Sequence, residues 1–152
     1  KMEEAMKSLT YLLSVICACT LILSCSKSRS DICGTWRMVE GTYVGPDFSV
    51  TTDAESRICY KVISDDHFAV VEVYADNPDS MFFAAVGSYK LDDSTYTETY
   101  EASNVQTKIG EKMEFQSNLK EKTWKISRIK DDLHLEETWV CVKAMSGNTH
   151  EL

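Results

Sequence analysis

From residue 34 onward, hydrophobic and polar positions alternate in short runs and show no helical repeat. Runs of this kind cover 34–44, 58–64, 67–75, 81–91, 96–102, 112–119, 123–129 and 133–143, rich in β-branched and aromatic residues. Turn chemistry separates them: Gly45-Pro46-Asp47, Asp65-Asp66, Asp76-Asn77-Pro78-Asp79, Asp92-Asp93-Ser94 and Asp131-Asp132. No convincing amphipathic helix interrupts the series. The pattern predicts an all-β fold, an up-and-down antiparallel β-barrel of about eight strands. Closing the sheet also removes the exposed edges that invite aggregation.

Register follows from the turns. If Asp131-Asp132 is a two-residue turn, Trp124 faces Trp139, Ile126 faces Glu137 and Arg128 faces Leu135, all on one side of the sheet. A two-residue turn at Lys120-Glu121 would bring Met113, Phe115 and Ser117 opposite Arg128, Ile126 and Trp124 on that same side. The other side carries Glu114, Gln116, Lys125, Ser127, His134 and Glu136, a solvated face. The apolar face therefore turns inward, and it takes Arg128 and Glu137 with it. These two are diagonal neighbours about 7–8 Å apart across the strands, within reach of an ion pair. Such a pair either serves the barrel mouth structurally or acts as a polar hook in an apolar lumen.

The run Thr95-Tyr96-Thr97-Glu98-Thr99-Tyr100-Glu101 puts Tyr96, Glu98 and Tyr100 on one face. The aromatics favour turning that face inward, where a turn at Asp92-Asp93 would set Glu98 opposite Gly87, in space open to a ligand or water. The alternative makes Glu98 a rim or surface residue. The candidate ligand-binding set is thus Tyr96, Glu98, Tyr100, Trp124, Arg128, Glu137 and Trp139.

Ahead of the barrel lies a segment of another kind. Lys7, an apolar run from Leu9 to Leu23, and Ser24 before Cys25 make the charged, greasy and small-residue regions of a secretory signal. The run is shorter than the roughly 18 residues that a membrane-spanning helix needs. Glu3 and Glu4 are out of place in such a leader, which points to Met6 as the start. Ile22-Leu23-Ser24-Cys25 resembles the lipobox of bacterial lipoproteins. That resemblance implies a signal helix over 1–25 cleaved ahead of Cys25, acylation of Cys25, a polar tether over 26–31, a barrel over 32–143 and a tail over 144–152. Ser26 is not the aspartate that retains some lipoproteins at the inner membrane, and Lys27-Ser28-Arg29 lacks the acidic pair of some surface-export tags. The expected address is therefore the outer membrane facing the periplasm, with the cell surface as the alternative.

Removing 25 of the 152 residues leaves 127, enough for one domain with a real core. The charges of the removed part cancel, so the barrel keeps the net charge of -8, which repels phosphate backbones and argues against a nucleic-acid partner. Three cysteines remain beyond Cys25. Cys33, Cys59 and Cys141 are expected as buried free thiols, with a Cys33 to Cys141 bridge as the alternative.

Gly34-Thr35-Trp36 at the head of the first strand resembles the Gly-x-Trp signature of lipocalin and calycin barrels. It is joined by Gly87-Ser88-Tyr89-Lys90-Leu91, Tyr96-Thr97-Glu98-Thr99-Tyr100-Glu101, the stretch from Ile109 to Phe115 and Leu135-Glu136-Glu137-Thr138-Trp139. Together these resemble the lipocalin-like domains of secreted bacterial lipoproteins. The resemblance implies that Gly34 and Trp36 are structural, with Trp36 across the closed end and Lys143, where lipocalins use an arginine, stacked on it. It also implies a small hydrophobic ligand in the barrel mouth.

His67, His134 and His150 are too scattered for a metal site, and no phosphate loop or nucleophile motif is present. No cofactor and no enzymatic activity are expected. The leading expectation is a lipid-anchored binding barrel. One rival is a structural or protein-interaction lipoprotein whose lumen is filled by side chains. The other is a barrel enzyme using Glu98 and Glu137.

Overall fold

In every long strand one parity of side chains turns inward, and that alternation builds the architecture. The computed structural model describes residues 31–144. The signal segment, Cys25, the tether and most of the tail lie outside the described residues. The elements are β1 (Gly34–Gly45), β2 (Phe48–Asp53), β3 (Arg57–Ile63), β4 (His67–Tyr74), β5 (Met81–Asp92), β6 (Thr95–Ser103), a single 3-10 turn (Gln106–Lys108), β7 (Lys112–Lys120), β8 (Thr123–Lys130) and β9 (Leu133–Ala144). Consecutive strands pair antiparallel from β3 to β9, and β1 joins β3 on one edge and β9 on the other. Eight strands thus close a barrel, with β2 as an extra strand.

The extra strand is the main difference from the sequence expectation, which left 48–53 in a connector. Two halves of β1 use the same edge differently: Gly34 to Arg37 pair with β3, whereas Glu40 to Gly45 pair with β2. Between β2 and β3 the Asp53 carboxylate accepts the backbone N–H groups of Glu55 and Ser56 and the Ser56 hydroxyl, fixing the corner. The strand had a local signal in the alternation of Phe48, Val50 and Thr52 with Ser49, Thr51 and Asp53.

Turns set the register largely as the sequence indicates. Asp131 and Asp132 both take positive φ, 51° and 63°, the geometry of a tight hairpin turn that matches strand twist. Trp124 then pairs with Trp139, Ile126 with Glu137 and Arg128 with Leu135. Two other hairpins differ by one turn position. The β7–β8 turn is Glu121-Lys122, so Ser117 faces Ile126 and Leu119 faces Trp124, a shift of two residues that keeps every side chain on its expected face. The β5–β6 turn is Asp93-Ser94, so Glu98 faces Tyr89 and Gly87 faces Tyr100. No room for a ligand exists at Gly87: a Cβ there would lie 2.0 Å from the Thr99 carbonyl oxygen and 3.1 Å from the Phe68 ring. Glycine is required because the β6 backbone approaches at a bulge between Val86 and Gly87.

The barrel is packed at one end and hollow at the other. At the packed end Trp36, Tyr96 and Trp124 are buried, with Trp124 centroids 5.5 Å from Trp36 and 4.9 Å, edge to face, from Tyr96. Ile32, wholly buried just before β1, accepts a hydrogen bond from the Trp36 indole at 2.8 Å. Gly34 is buried between Ile63 and Ala144. Lys143 pairs through its backbone with Thr35, and its side chain, expected on Trp36, is outside what the structure describes. Cys33, Cys59 and Cys141 are free thiols, the first two buried and the third half-buried.

Candidate functional site

Above the packed end the lumen opens into a cavity of about 530 Å³. Its mouth lies among the β1–β2, β4–β5, β6–β7 and β8–β9 connections, where Phe48 and Val50 of β2 and Leu133 of β9 contribute walls. Deeper walls are apolar, from Met38, Val70, Met113, Phe115 and Leu135. β2 therefore gives the cavity one of its sides.

A buried ion pair forms the floor. Inward parity on β3 points Lys61 into the lumen between Cys59 and Ile63, and inward parity on β6 does the same for Glu98. Lys61 Nζ lies 2.6 Å from Glu98 Oε1, with the two side chains 4% and 1% exposed. Two residues either way along β6, Tyr96 donates its hydroxyl to Glu98 Oε1 at 2.8 Å and Tyr100 donates to Oε2 at 2.9 Å. Glu98 is thus held by three donors, which meets the requirement that a buried charge be both paired and hydrogen-bonded. The ammonium is also ringed by aromatics, 4.9 Å from the Trp139 centroid and 5.6 Å from those of Tyr96 and Trp124. Burial alone would lower the Lys61 pKa, but the Glu98 and Glu137 carboxylates outweigh it and hold the ammonium above its ordinary value.

Glu137 occupies the wall beside this floor. Its Oε1 accepts the Tyr43 hydroxyl and its Oε2 the Trp139 indole N–H, each at 3.0 Å. Tyr43 reaches it because the residue opposite Glu137 on β1 is Gly41. A Cβ at Gly41 would come within 3.0 Å of the Tyr43 ring and 3.1 Å of its hydroxyl, so glycine lets the ring fold back over the strand. Burial raises the Glu137 pKa, Lys61 lowers it and Glu98 raises it again, leaving the carboxyl above its ordinary range. The same burial, reinforced by Glu137, raises Tyr43.

A second ion pair stands nearer the mouth. Arg57 of β3 donates to Glu72 of β4 at 3.1 Å, and its guanidinium lies against two rings, 4.2 Å from the Tyr74 centroid and 3.9 Å from that of Phe82. The two rings, themselves edge to face at 5.5 Å, and the carboxylate together fix the guanidinium in place. Glu72 is nonetheless raised above its ordinary pKa, chiefly by burial and against the pull of Arg57.

No family model and no curated protein matches the chain. Among solved structures it is similar to an uncharacterized protein from Bacteroides eggerthii, at 16% identity and a TM-score of 0.47 over 73% of this chain and 99% of that one.

Of the candidate set, Glu98, Tyr100, Glu137 and Trp139 line the cavity. Tyr96 and Trp124 do not. Both are wholly buried in the packed end, beneath the ion pair rather than on the cavity wall. Arg128 takes its expected register, yet no ion pair joins it to Glu137, whose two oxygens are taken by Tyr43 and Trp139. Arg128 is half-buried and off the cavity wall. Lys61, Arg57, Glu72 and Tyr43 are cavity-lining side chains that strand-by-strand reading missed. Their signal was parity, since Lys61 shares a face with Cys59 and Ile63, and Glu72 with Phe68 and Val70. The apolar residues on the opposite face of each strand, Tyr60 and Val62 or Val71 and Val73, concealed it. Among the described residues no group of three His, Cys, Asp or Glu side chains is placed to hold a metal ion.

Two outcomes follow from this electrostatic arrangement. Lys61→Met strands a buried carboxylate and should cost about 3–5 kcal/mol in chemical denaturation. Lys61→Met combined with Glu98→Gln should be more stable than Lys61→Met alone; a fully additive loss would refute the pairing. Glu137 behaves oppositely to a salt-bridged acid. With its folded pKa raised, its contribution is most favourable below the unfolded value near 4.3 and declines as pH rises through the folded value. Glu137→Gln, which can still accept from Trp139 and can donate to Tyr43, should therefore gain stability relative to the native chain between pH 4 and pH 8. A constant difference across that range would contradict it.

Proposed function

We propose that the barrel binds a small, mostly apolar ligand in its open end, with the ligand's polar group directed at the Lys61, Glu98 and Glu137 floor. The observation that carries this reading is the cavity itself. About 530 Å³ falls in the range of roughly 300–1,000 Å³ typical of small-molecule sites, and an apolar wall with a few placed polar groups is how such sites gain specificity. The rival in which side chains fill the lumen applies to the packed end alone.

The enzyme alternative has one supporting observation, since the two carboxylates act on each other electrostatically. Against it, both oxygens of Glu98 are occupied by Lys61, Tyr96 and Tyr100, so the group is not available to move a proton. Binding without turnover accounts better for a carboxylate so fully engaged.

The location of the receptor rests on the sequence. The lipobox-like Ile22-Leu23-Ser24-Cys25 supports a lipoprotein of the cell envelope, anchored through acylated Cys25 in the outer membrane and facing the periplasm.

Titration with the neutral hydrophobic dye N-phenylnaphthylamine should give saturable one-to-one binding and quench Trp139, which lies on the cavity wall. Leu135→Trp, which places an indole inside the cavity, should abolish it while the barrel still folds. Unsaturable binding, or full binding by the filled variant, would sink the proposal. In cells, Cys25→Ser should release the protein from the membrane fraction and stop incorporation of labelled palmitate. Retention of the label would show that the anchor is elsewhere.

A further inference from the structure

The cavity's charges pair off unevenly. Three cations line it, and each has a carboxylate of its own: Arg57 with Glu72 at 3.1 Å, Lys61 with Glu98 at 2.6 Å, and Lys108 with Glu111 at 3.2 Å. Of the three carboxylates on the wall, Glu72, Glu98 and Glu137, the last has none. Among the described residues no cation lies within ion-pair distance of it, and its hydrogen-bond partners, Tyr43 and Trp139, are neutral donors. Arg128, the cation that its register brings nearest on β8, makes no ion pair with it. Glu137 is also half-buried and lines the cavity.

The walls around that carboxylate are aromatic. Tyr43, Trp139, Tyr100 and Phe115 all reach the same cavity. Ring faces attract cations, most strongly where water is excluded. A lone carboxylate among aromatic rings, under an apolar shaft open to solvent, is complementary to an organic cation carrying an apolar tail. An anion of the same shape would meet Lys61 and Arg57 each already paired with a carboxylate, and would lie against a carboxylate that has no cation in contact.

Resting on the ligand-binding reading above, we propose that the cavity selects amphiphilic organic cations, protonated alkylamines or quaternary ammonium compounds, with Glu137 as the counter-ion and the alkyl chain along Met38, Val70 and Leu135. Selection comes from the one carboxylate that the protein leaves without a cation. Glu98 and Glu72 do not supply the counter-charge, because each already holds a cation of its own.

The test uses three probes of equal tail length, octyltrimethylammonium, octanol and octanoate, each displacing the bound neutral dye from the full barrel. The cation should bind at least tenfold more tightly than octanoate, with octanol between them. Glu137→Gln should lower the cation's affinity to that of octanol, while binding of the neutral dye reports that the variant is folded. A second variant acts away from the floor: Leu133→Lys at the half-buried rim should weaken octyltrimethylammonium and strengthen octanoate. Octanoate binding as well as the cation, or a cation preference that survives Glu137→Gln, overturns the counter-ion role of Glu137. If octanol binds in that case, the cavity remains a ligand site and only its charge selection fails. If none of the three displaces the dye, the ligand-binding reading fails with it.

Discussion

A lysine cannot lie inside a barrel unless the barrel is built around it, and the contact between Lys61 and Glu98 organises the lumen accordingly. Taking both charges out of water is costly, and only close pairing with full hydrogen bonding offsets that cost. The fold supplies the pairing from β3 and β6, and the hydrogen bonds from Tyr96 and Tyr100 on β6 itself. One strand with period two therefore carries both the carboxylate and two of its donors. Trp124 and Trp139 complete the enclosure from β8 and β9. Below this level side chains fill the barrel, and above it they do not, so the ion pair marks where core ends and cavity begins.

Glu137 shows how a second charge is treated differently a few ångströms away. Its neighbours give it neutral hydrogen-bond donors but no cation in contact, and Gly41 opposite makes the room for Tyr43 to be one of them. The contrast between a carboxylate in direct ion-pair contact and one without it in the same lumen follows from which residue faces each across the sheet. Glu98 is opposite Tyr89 and near Lys61; Glu137 is opposite Gly41 on one side and Ile126 on the other.

How much of this was legible in the sequence depended on whether the information was local. The Asp131-Asp132 turn fixed Trp124, Ile126 and Arg128 against Trp139, Glu137 and Leu135, because a two-residue hairpin transmits register along both strands. At Asp92-Asp93-Ser94 and Lys120-Glu121-Lys122 several residues suit the turn, and the actual choice moved pairings by two positions without changing faces. The inward orientation of Tyr96, Glu98 and Tyr100 was readable, but the depth at which each would lie was not. Depth is a property of where a strand sits along the barrel axis, which is set by all its neighbours. Hence Tyr96 and Trp124 belong to the packed end, while Tyr100 and Trp139 reach the cavity. Lys61 and Glu72 were hidden for another reason: β3 and β4 are apolar on both faces, so alternation could not say which face was inner. The expected partnership of Arg128 and Glu137 failed because a strand beyond the hairpin, β1, offered Tyr43 at the same place.

Closure of the sheet by β1 and β9 also fixes the polarity of the whole object. The pairing of Gly34 with Ala144 sets the two ends of the described chain side by side at the packed end, and the pairing of Val44 with His134 places the opposite ends of those strands at the mouth. The described chain therefore enters and leaves the barrel on the side away from the opening. Both of its described ends sit at the base, as if at the foot of a cup.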